Sequence, residues 1–320
     1  MNRIIDMHCD TMMQIWERDE TEETTGTLYD GEYSINIKKL EEGKSLAQCF
    51  ALYLPWKNSE KTAYQILNEM HDDFVREMEL SSEYIRQAKT VDEILKNDED
   101  GFLSAILTTE DGAFIEDKIE RIDEVYDWGV RMIGIIWNYE NTLAYPNSKD
   151  SEIHNKGLKD FGFDCIEKMK EKGIIVDVSH LNEGGFYDVA KTLKGPFAAS
   201  HSCSRDLCNH QRNLDDDQLR TLADCGGIVG INFCGPFLFQ DGGYATFDRI
   251  IDHIRHIKNV AGIDTIGWGS DFDGIENNGE LVDYRGFNPL VDAMTKHFTD
   301  DEIDKINYKN FLRVMREVQG

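Results

Sequence analysis

The 320-residue sequence predicts a (β/α)8 barrel, read as a single domain over residues 1–320, and three observations predict it. Short apolar runs at 4–8, 46–54, 102–108, 131–137, 174–179, 197–201, 228–233 and 265–270 alternate with amphipathic stretches from end to end. Several of these runs are apolar almost without a break, as expected of strands covered on both faces. No shift in composition, linker or short repeat divides the chain, so the strand–helix units close most simply on themselves. The competing open, doubly wound sheet would carry a G-x-G-x-x-G turn after its first strand, and that motif is absent.

Taken in order, the first run is Arg3-Ile4-Ile5-Asp6-Met7-His8-Cys9-Asp10. Side chains alternate along a strand, so His8 and Asp10 would face one way and Cys9 the other. Residues 21–33 are polar, Gly-containing and rich in Thr and Glu, and are expected to form a mobile loop. A long charged helix is expected over 63–85, where Ile66, Leu67, Met70, Phe74 and Met78 recur at helical spacing. Helices over 161–172, 185–193, 216–224 and 247–260 accompany the later strands, each ending near a glycine or a basic residue. Asp215, Asp216 and Asp217 are read as an amino-terminal cap, where acidic charge meets the helix dipole.

With 34 basic against 61 acidic residues, the net charge is −27. A surface this acidic repels nucleic-acid phosphates and anionic lipid, so neither is expected as a partner. Seven cysteines at irregular spacings form no disulfide framework and no C-x-x-C pair. No signal peptide and no membrane-spanning stretch are visible, and the expectation is a soluble, cytoplasmic protein with reduced thiols.

Chemistry in a parallel barrel is built at the carboxyl ends of strands. Those ends carry His8 and Asp10, Glu110 and Asp111, Asp177 and His180, His201, and Asp271 and Asp273. Three imidazoles and two carboxylates (His8, Asp10, Glu110, His180, His201) are enough for two metal ions, with one carboxylate bridging ions ~3.5–4 Å apart. Glu110 is the natural bridge, placing His8 and Asp10 on one ion and His180 and His201 on the other. Mixed nitrogen and oxygen ligands suit zinc best, with manganese or cobalt as alternatives. Asp271 is then left as a proton carrier beside the metal-bound water, its alternative roles being a third ligand or a loop cap. Asp6 and Asp177 are read as acceptors behind the ligands, or as ordinary strand-end carboxylates.

The set H-x-D at the amino terminus, Glu110-Asp111-Gly112, Asp177-Val178-Ser179-His180, Ser200-His201-Ser202, His210-Gln211-Arg212-Asn213 and Gly269-Ser270-Asp271-Phe272-Asp273-Gly274 resembles the membrane dipeptidase (renal dipeptidase) family of zinc peptidases. Asn310-Phe311-Leu312-Arg313-Val314 also looks like that family's carboxyl-terminal signature, so the likeness runs the length of the chain. The resemblance implies a barrel with two zinc ions, one held by His8, Asp10 and Glu110 and the other by Glu110, His180 and His201. It implies that Arg212 receives the substrate's carboxylate, a task that suits a planar bidentate donor. It also implies that Asp271 stands beside the bridging water, and that the protein is a homodimer. Two departures matter. Where better-known members end the fourth strand with a histidine that contacts the substrate carbonyl, this chain has Trp137, followed by Asn138. Met7 stands where a small residue is usual.

The expected activity is hydrolysis of dipeptides. The water's proton would pass through Asp271 to the departing amine. An uncompensated loss of the histidine's contact would cost on the order of 3 kcal/mol, so turnover would be slow or shifted, for example toward dipeptides with a D-residue. An amidohydrolase acting on another small amide or lactone is the alternative, although no lysine ends the fourth strand to serve as a carbamylated bridge. A non-catalytic barrel with structural metals is the third reading, and the retained Asp271 argues against it. His253 and His256 are read as a solvated helix face, and His71, His154 and His297 as exposed.

Overall fold

A computed structural model describes residues 3–21, 26–276 and 279–320. The apolar runs form parallel strands: β1 (Ile4–Asp6), β2 (Ser45–Tyr53), β3 (Ile85–Gln87), β4 (Leu103–Glu110), β5 (Val130–Gly134), β6 (Ile175–Asp177), β7 (Ala198–Ser202), β8 (Ile228–Ile231) and β9 (Ile266–Trp268). They are hydrogen-bonded in the order β2-β1-β9-β8-β7-β6-β5-β4-β3, and a further pairing of β2 with β4 closes the barrel that the sequence predicts. Helices flank the strands on the outside, as parallel connections require.

One strand went unpredicted. β3 has a single buried residue, Ile85, and so carries no apolar pattern. It pairs through Ile85 with Leu103 and through Gln87 with Ala105, on the edge of β4 that β5 takes over from Leu107 onward. The helix expected over 63–85 stops accordingly at Ala63–Leu80, and the residues after it turn into β3. Residues 22–25 of the expected 21–33 loop lie outside the described residues. The part after them is tied inward, with Asn36 Nδ2 donating to Gly31 O at 2.8 Å. Asp215 does cap the helix Asp216–Asp224, through a capping box with Gln218.

The barrel interior is filled at its amino-terminal pole by Ile5, Ala47, Cys49, Ile106, Met132, Ile175 and Ile228, and closed by Phe311, Val314 and Met315 of the last helix, Asn310–Gln319. Met7 belongs to this layer. A Cβ at Gly230 would lie 2.7 Å from Met7 Cε, and one at Gly267 would lie 3.1 Å away. The long side chain at position 7 is thus accommodated by two glycines on the facing strands, an example of volume being conserved across a core.

Several strands end earlier or later than their apolar runs, and this moves the polar residues. β1 stops at Asp6, so His8 and Asp10 lie beyond it. Their backbone is still held in strand-like extension, Asp271 N donating to His8 O at 3.2 Å and Asp10 N to Phe272 O at 2.9 Å. β4 runs on to Glu110, which is its last residue. β5 ends at Gly134, so Trp137 and Asn138 belong to the loop above it.

Candidate metal centre and active site

The carboxyl-terminal mouth of the barrel opens into a cavity of about 330 Å³ lined by Asp10, Met13, Tyr53, Glu110, Trp137, Asn138, His180, Arg212, Phe237, Asp271 and Gly274. His8 and His201 lie beneath it, their rings stacked with centroids 3.9 Å apart. His8 Nε2 is 3.5 Å from Asp10 Oδ2, 3.7 Å from Glu110 Oε2 and 3.7 Å from Asp271 Oδ1. The other oxygen of Glu110 is 2.8 Å from His180 Nε2 and 3.6 Å from His201 Nε2. Glu110 therefore stands between the two groups of side chains, one oxygen toward each. Ligand-capable atoms of His8, Glu110 and His201 fall within 4.8 Å of one another, as do those of His8, Asp10 and Asp271.

The hydrogen bonds behind these side chains fix which nitrogen is free. Ser200 Oγ is 2.6 Å from Asp177 Oδ2 and 2.7 Å from His201 Nδ1. A carboxylate only accepts, so the hydroxyl donates to Asp177 and accepts from Nδ1–H, which leaves Nε2 of His201 with a bare lone pair. His180 Nδ1 faces Asn138 Oδ1 at 3.1 Å, and the same argument bares its Nε2. These two Nε2 atoms are 3.0 Å apart and share Glu110 Oε1 as a neighbour. Arg212 Nη2 reaches His180 Nε2 at 2.8 Å, and the lone pairs of His201 Nε2 and Glu110 Oε1 that converge beside it in a buried space suit a further cation. On the opposite side, His8 Nε2 and Asp10 Oδ1 are buried with no hydrogen-bond partner among the described residues, as atoms intended for a metal would be. The donor set therefore fits divalent cations.

Asp6 does on β1 what Asp177 does on β6: its carboxylate accepts from Ser270 N at 2.8 Å and Ser270 Oγ at 2.6 Å, tying the first strand to the loop that presents Asp271. That loop is sharply bent, with Asp271 at φ 65 and Asp273 at φ 68. Positive φ in non-glycine residues is locally strained and persists where surrounding bonds hold it. Here Asp273 accepts from Thr11 Oγ1 and from Ser34 N, both at 2.6 Å.

Burial resists charging of His8, yet Glu110 and Asp10 outweigh it and push its pKa up to about 10. Burial, aided by the Arg212 and His8 cations, holds His180 and His201 far below the usual imidazole range, so both are neutral and ready to ligate. Burial raises the Glu110 carboxyl well above its ordinary value, and raises Asp271 to about 6. Asn232 Nδ2 donates to Asp271 Oδ2 at 2.9 Å. The Arg212 guanidinium is buried, bonded to the Ser179 carbonyl and 2.8 Å from His180 Nε2.

Asp111 accepts from Trp56 Nε1 at 3.0 Å and Asn141 Nδ2 at 2.8 Å, and Asp273 from Thr11 and Ser34, while His8, Asp10, Glu110, His180, His201, Arg212 and Asp271 meet at one mouth. The histidines outside it do not. His253 is fully buried rather than on a solvated face: its Nδ1 accepts from Ser204 N at 3.2 Å and its Nε2 faces Leu238 O at 3.2 Å. Helical period alone did not reveal that the loop 203–214 folds over this helix face. His256 pairs with Asp216 at 2.7 Å, and His71 stacks on Trp128 with centroids 4.1 Å apart, so neither is free in solvent. Tyr53, Phe237 and Asn232 were not foreseen as part of the site. Asn232 had a readable signal, a polar residue inside the apolar run 228–233, whereas Tyr53 and Phe237 look like ordinary core aromatics.

The family model described as membrane dipeptidase, peptidase family M19, matches residues 2–320. The chain belongs to this family. It is accordingly a metal-dependent hydrolase of the dipeptidase type. An uncharacterized protein from the pqqA 5′ region of Klebsiella pneumoniae is 35% identical over 230 residues, covering 69% of this chain and 84% of its own. Among solved structures, a metallopeptidase of the same family named dipeptidase AC superimposes with a TM-score of 0.91 at 24% identity, covering 99% of both chains. A Rhodobacter sphaeroides metallopeptidase, liganded with a phosphinate mimic of the dipeptide L-Ala-D-Ala, gives 0.89 at 23% identity, again over 99% of both chains. Among the described residues no helix is long and apolar enough to cross a membrane.

Proposed function

We propose that this protein is a binuclear zinc dipeptidase, with His8, Asp10 and Glu110 as ligands of one ion and Glu110, His180 and His201 as ligands of the other. The observation that carries the reading is Glu110, which directs one oxygen to His8 and the other to His180 and His201. When bound, such ions polarise the scissile carbonyl and lower the pKa of water from 15.7 toward ~7. Manganese or cobalt would satisfy the same donors.

The chain's own residues supply the rest. Asp271, on the His8 side of the mouth and oriented by Asn232, takes a proton from the attacking water and delivers it to the departing amine. Its pKa of about 6 leaves it ionised, and so basic, at neutral pH. Arg212 holds the substrate carboxylate by a bidentate pair, which favours peptides short enough to place a terminus within one cavity. Asn138 fixes the His180 ring. Trp137 supplies wall rather than a hydrogen bond to the carbonyl oxygen. The L-Ala-D-Ala mimic bound by the Rhodobacter sphaeroides relative makes dipeptides with a carboxyl-terminal D-residue part of the proposed range. The resemblance adds a homodimer acting on free dipeptides.

The test combines elemental analysis of the purified chain with turnover of a dipeptide panel that includes D-residues. Two metal equivalents and hydrolysis lost in Glu110→Ala are expected. One ion per chain would refute the binuclear centre, and undiminished turnover in Glu110→Ala would refute the site.

A further inference from the structure

The barrel order places Tyr53 and Arg212 across the mouth from each other. Around the closed sheet the strands run β1, β2, β4, β5, β6, β7, β8, β9, so β2, which ends in Tyr53, is opposite β7, whose following loop carries Arg212. A substrate anchored by its carboxylate on Arg212 must extend its other end toward the β2 side.

On that side the cavity wall is aromatic. Trp137 meets the Tyr53 ring edge-on with centroids 4.9 Å apart, and Tyr139 packs at a tilt against Trp137 with centroids 5.5 Å apart. Trp137, Tyr53 and Met13 are all half-buried and all line the cavity. Asp10 and Glu110, which also line the cavity, are taken up as metal ligands in the proposed reading, and Arg212, the cationic side chain among the lining residues, stands opposite.

We infer that Tyr53, Trp137 and Met13 form the subsite for the substrate's amino-terminal side chain and select apolar, above all aromatic, residues there. This rests on the dipeptidase reading and on Arg212 as the carboxylate anchor. An aromatic side chain would stack in the offset or edge-on geometries that such rings prefer, and Met13 would adapt to its outline. An acidic side chain would lose its hydration against these rings, which offer no positive charge to replace it.

The test uses the metal-loaded enzyme with Phe-Gly, Gly-Phe, Gly-Gly and Glu-Gly, followed by Trp137→Ala and Trp137→Phe. In the wild type, kcat/KM for Phe-Gly should exceed that for Gly-Phe and for Gly-Gly at least tenfold, with Glu-Gly the poorest. In Trp137→Ala the ratio of Phe-Gly to Gly-Gly should fall at least tenfold, and Trp137→Phe should restore most of it. Equal rates for Phe-Gly and Gly-Phe, or a preference for Gly-Phe, would overturn the subsite while leaving the dipeptidase reading intact. So would a Trp137→Ala enzyme that loses activity on Phe-Gly and Gly-Gly in equal proportion. Absence of hydrolysis across the whole panel would overturn the dipeptidase reading and the subsite with it.

Discussion

Ser200→Ala should weaken cation binding at the His180–His201 end of the site while the barrel stays folded. Ser200 Oγ lies 2.6 Å from Asp177 Oδ2, 2.7 Å from His201 Nδ1 and 3.1 Å from Ser179 Oγ. Its hydrogen goes to the carboxylate, and its lone pairs receive the Nδ1 proton. Without Oγ, that ring nitrogen is orphaned on a side chain only 1% exposed, and the proton can move to Nε2, the atom facing Glu110 and His180. Loss of such an outer hydrogen bond costs 10–100-fold in metal affinity, equivalent to about 1.4–2.7 kcal/mol. The broken buried hydrogen bonds cost a further ~1–3 kcal/mol of folding stability. The assay is a chelator competition titration of zinc into metal-stripped wild type and variant, with denaturant unfolding run in parallel. A variant that folds and binds zinc as tightly as wild type would show that Ser200 does not set the His201 tautomer.

Three other outcomes are expected. Asp271→Asn should keep its metals, by elemental analysis, but lose about 10²–10⁴-fold in kcat on a dipeptide the wild type hydrolyses. If Asp271 is the proton carrier proposed above, with a pKa of about 6, wild-type kcat/KM should rise with pH through that value, and the residual activity of the variant should lack that limb. Buried His253, whose pKa is held down to about 4 against 6.5 by burial, is neutral in the fold. The unfolded chain takes up its proton first, so this contribution to stability is complete above pH 6.5 and is lost as pH falls from 6.5 toward 4. By pH 5 the loss amounts to ~2 kcal/mol, read as the narrowing gap between wild type and His253→Gln in urea unfolding at pH 7.5 and pH 5; parallel curves would contradict it. Gly269→Ala should destabilise by ~1–3 kcal/mol, because the new Cβ would press on the backbone at that position. There it would lie 1.8 Å from Ser200 O, and a melting temperature equal to wild type would refute that contact.

The sequence by itself determined the barrel and the polar inventory of its mouth. Parallel strands buried on both faces leave a nearly unbroken apolar signal, and in such a fold ligating residues can only gather where those runs end. His8, Asp10, Glu110, His180, His201 and Asp271 were legible for that reason. Tertiary structure alone decided what is non-local. β3 exists because the edge of β4 is open below β5, not because Ile85-Arg86-Gln87 favours a strand. His253 is buried because a distant loop covers its helix, which helical period does not report. Met7 is tolerated because Gly230 and Gly267 face it from other strands. The aromatic wall of Tyr53 and Trp137 follows from a barrel closing β2 onto β4, next to β5. Local pattern records which faces must avoid water; which faces meet is settled only when the sheet closes.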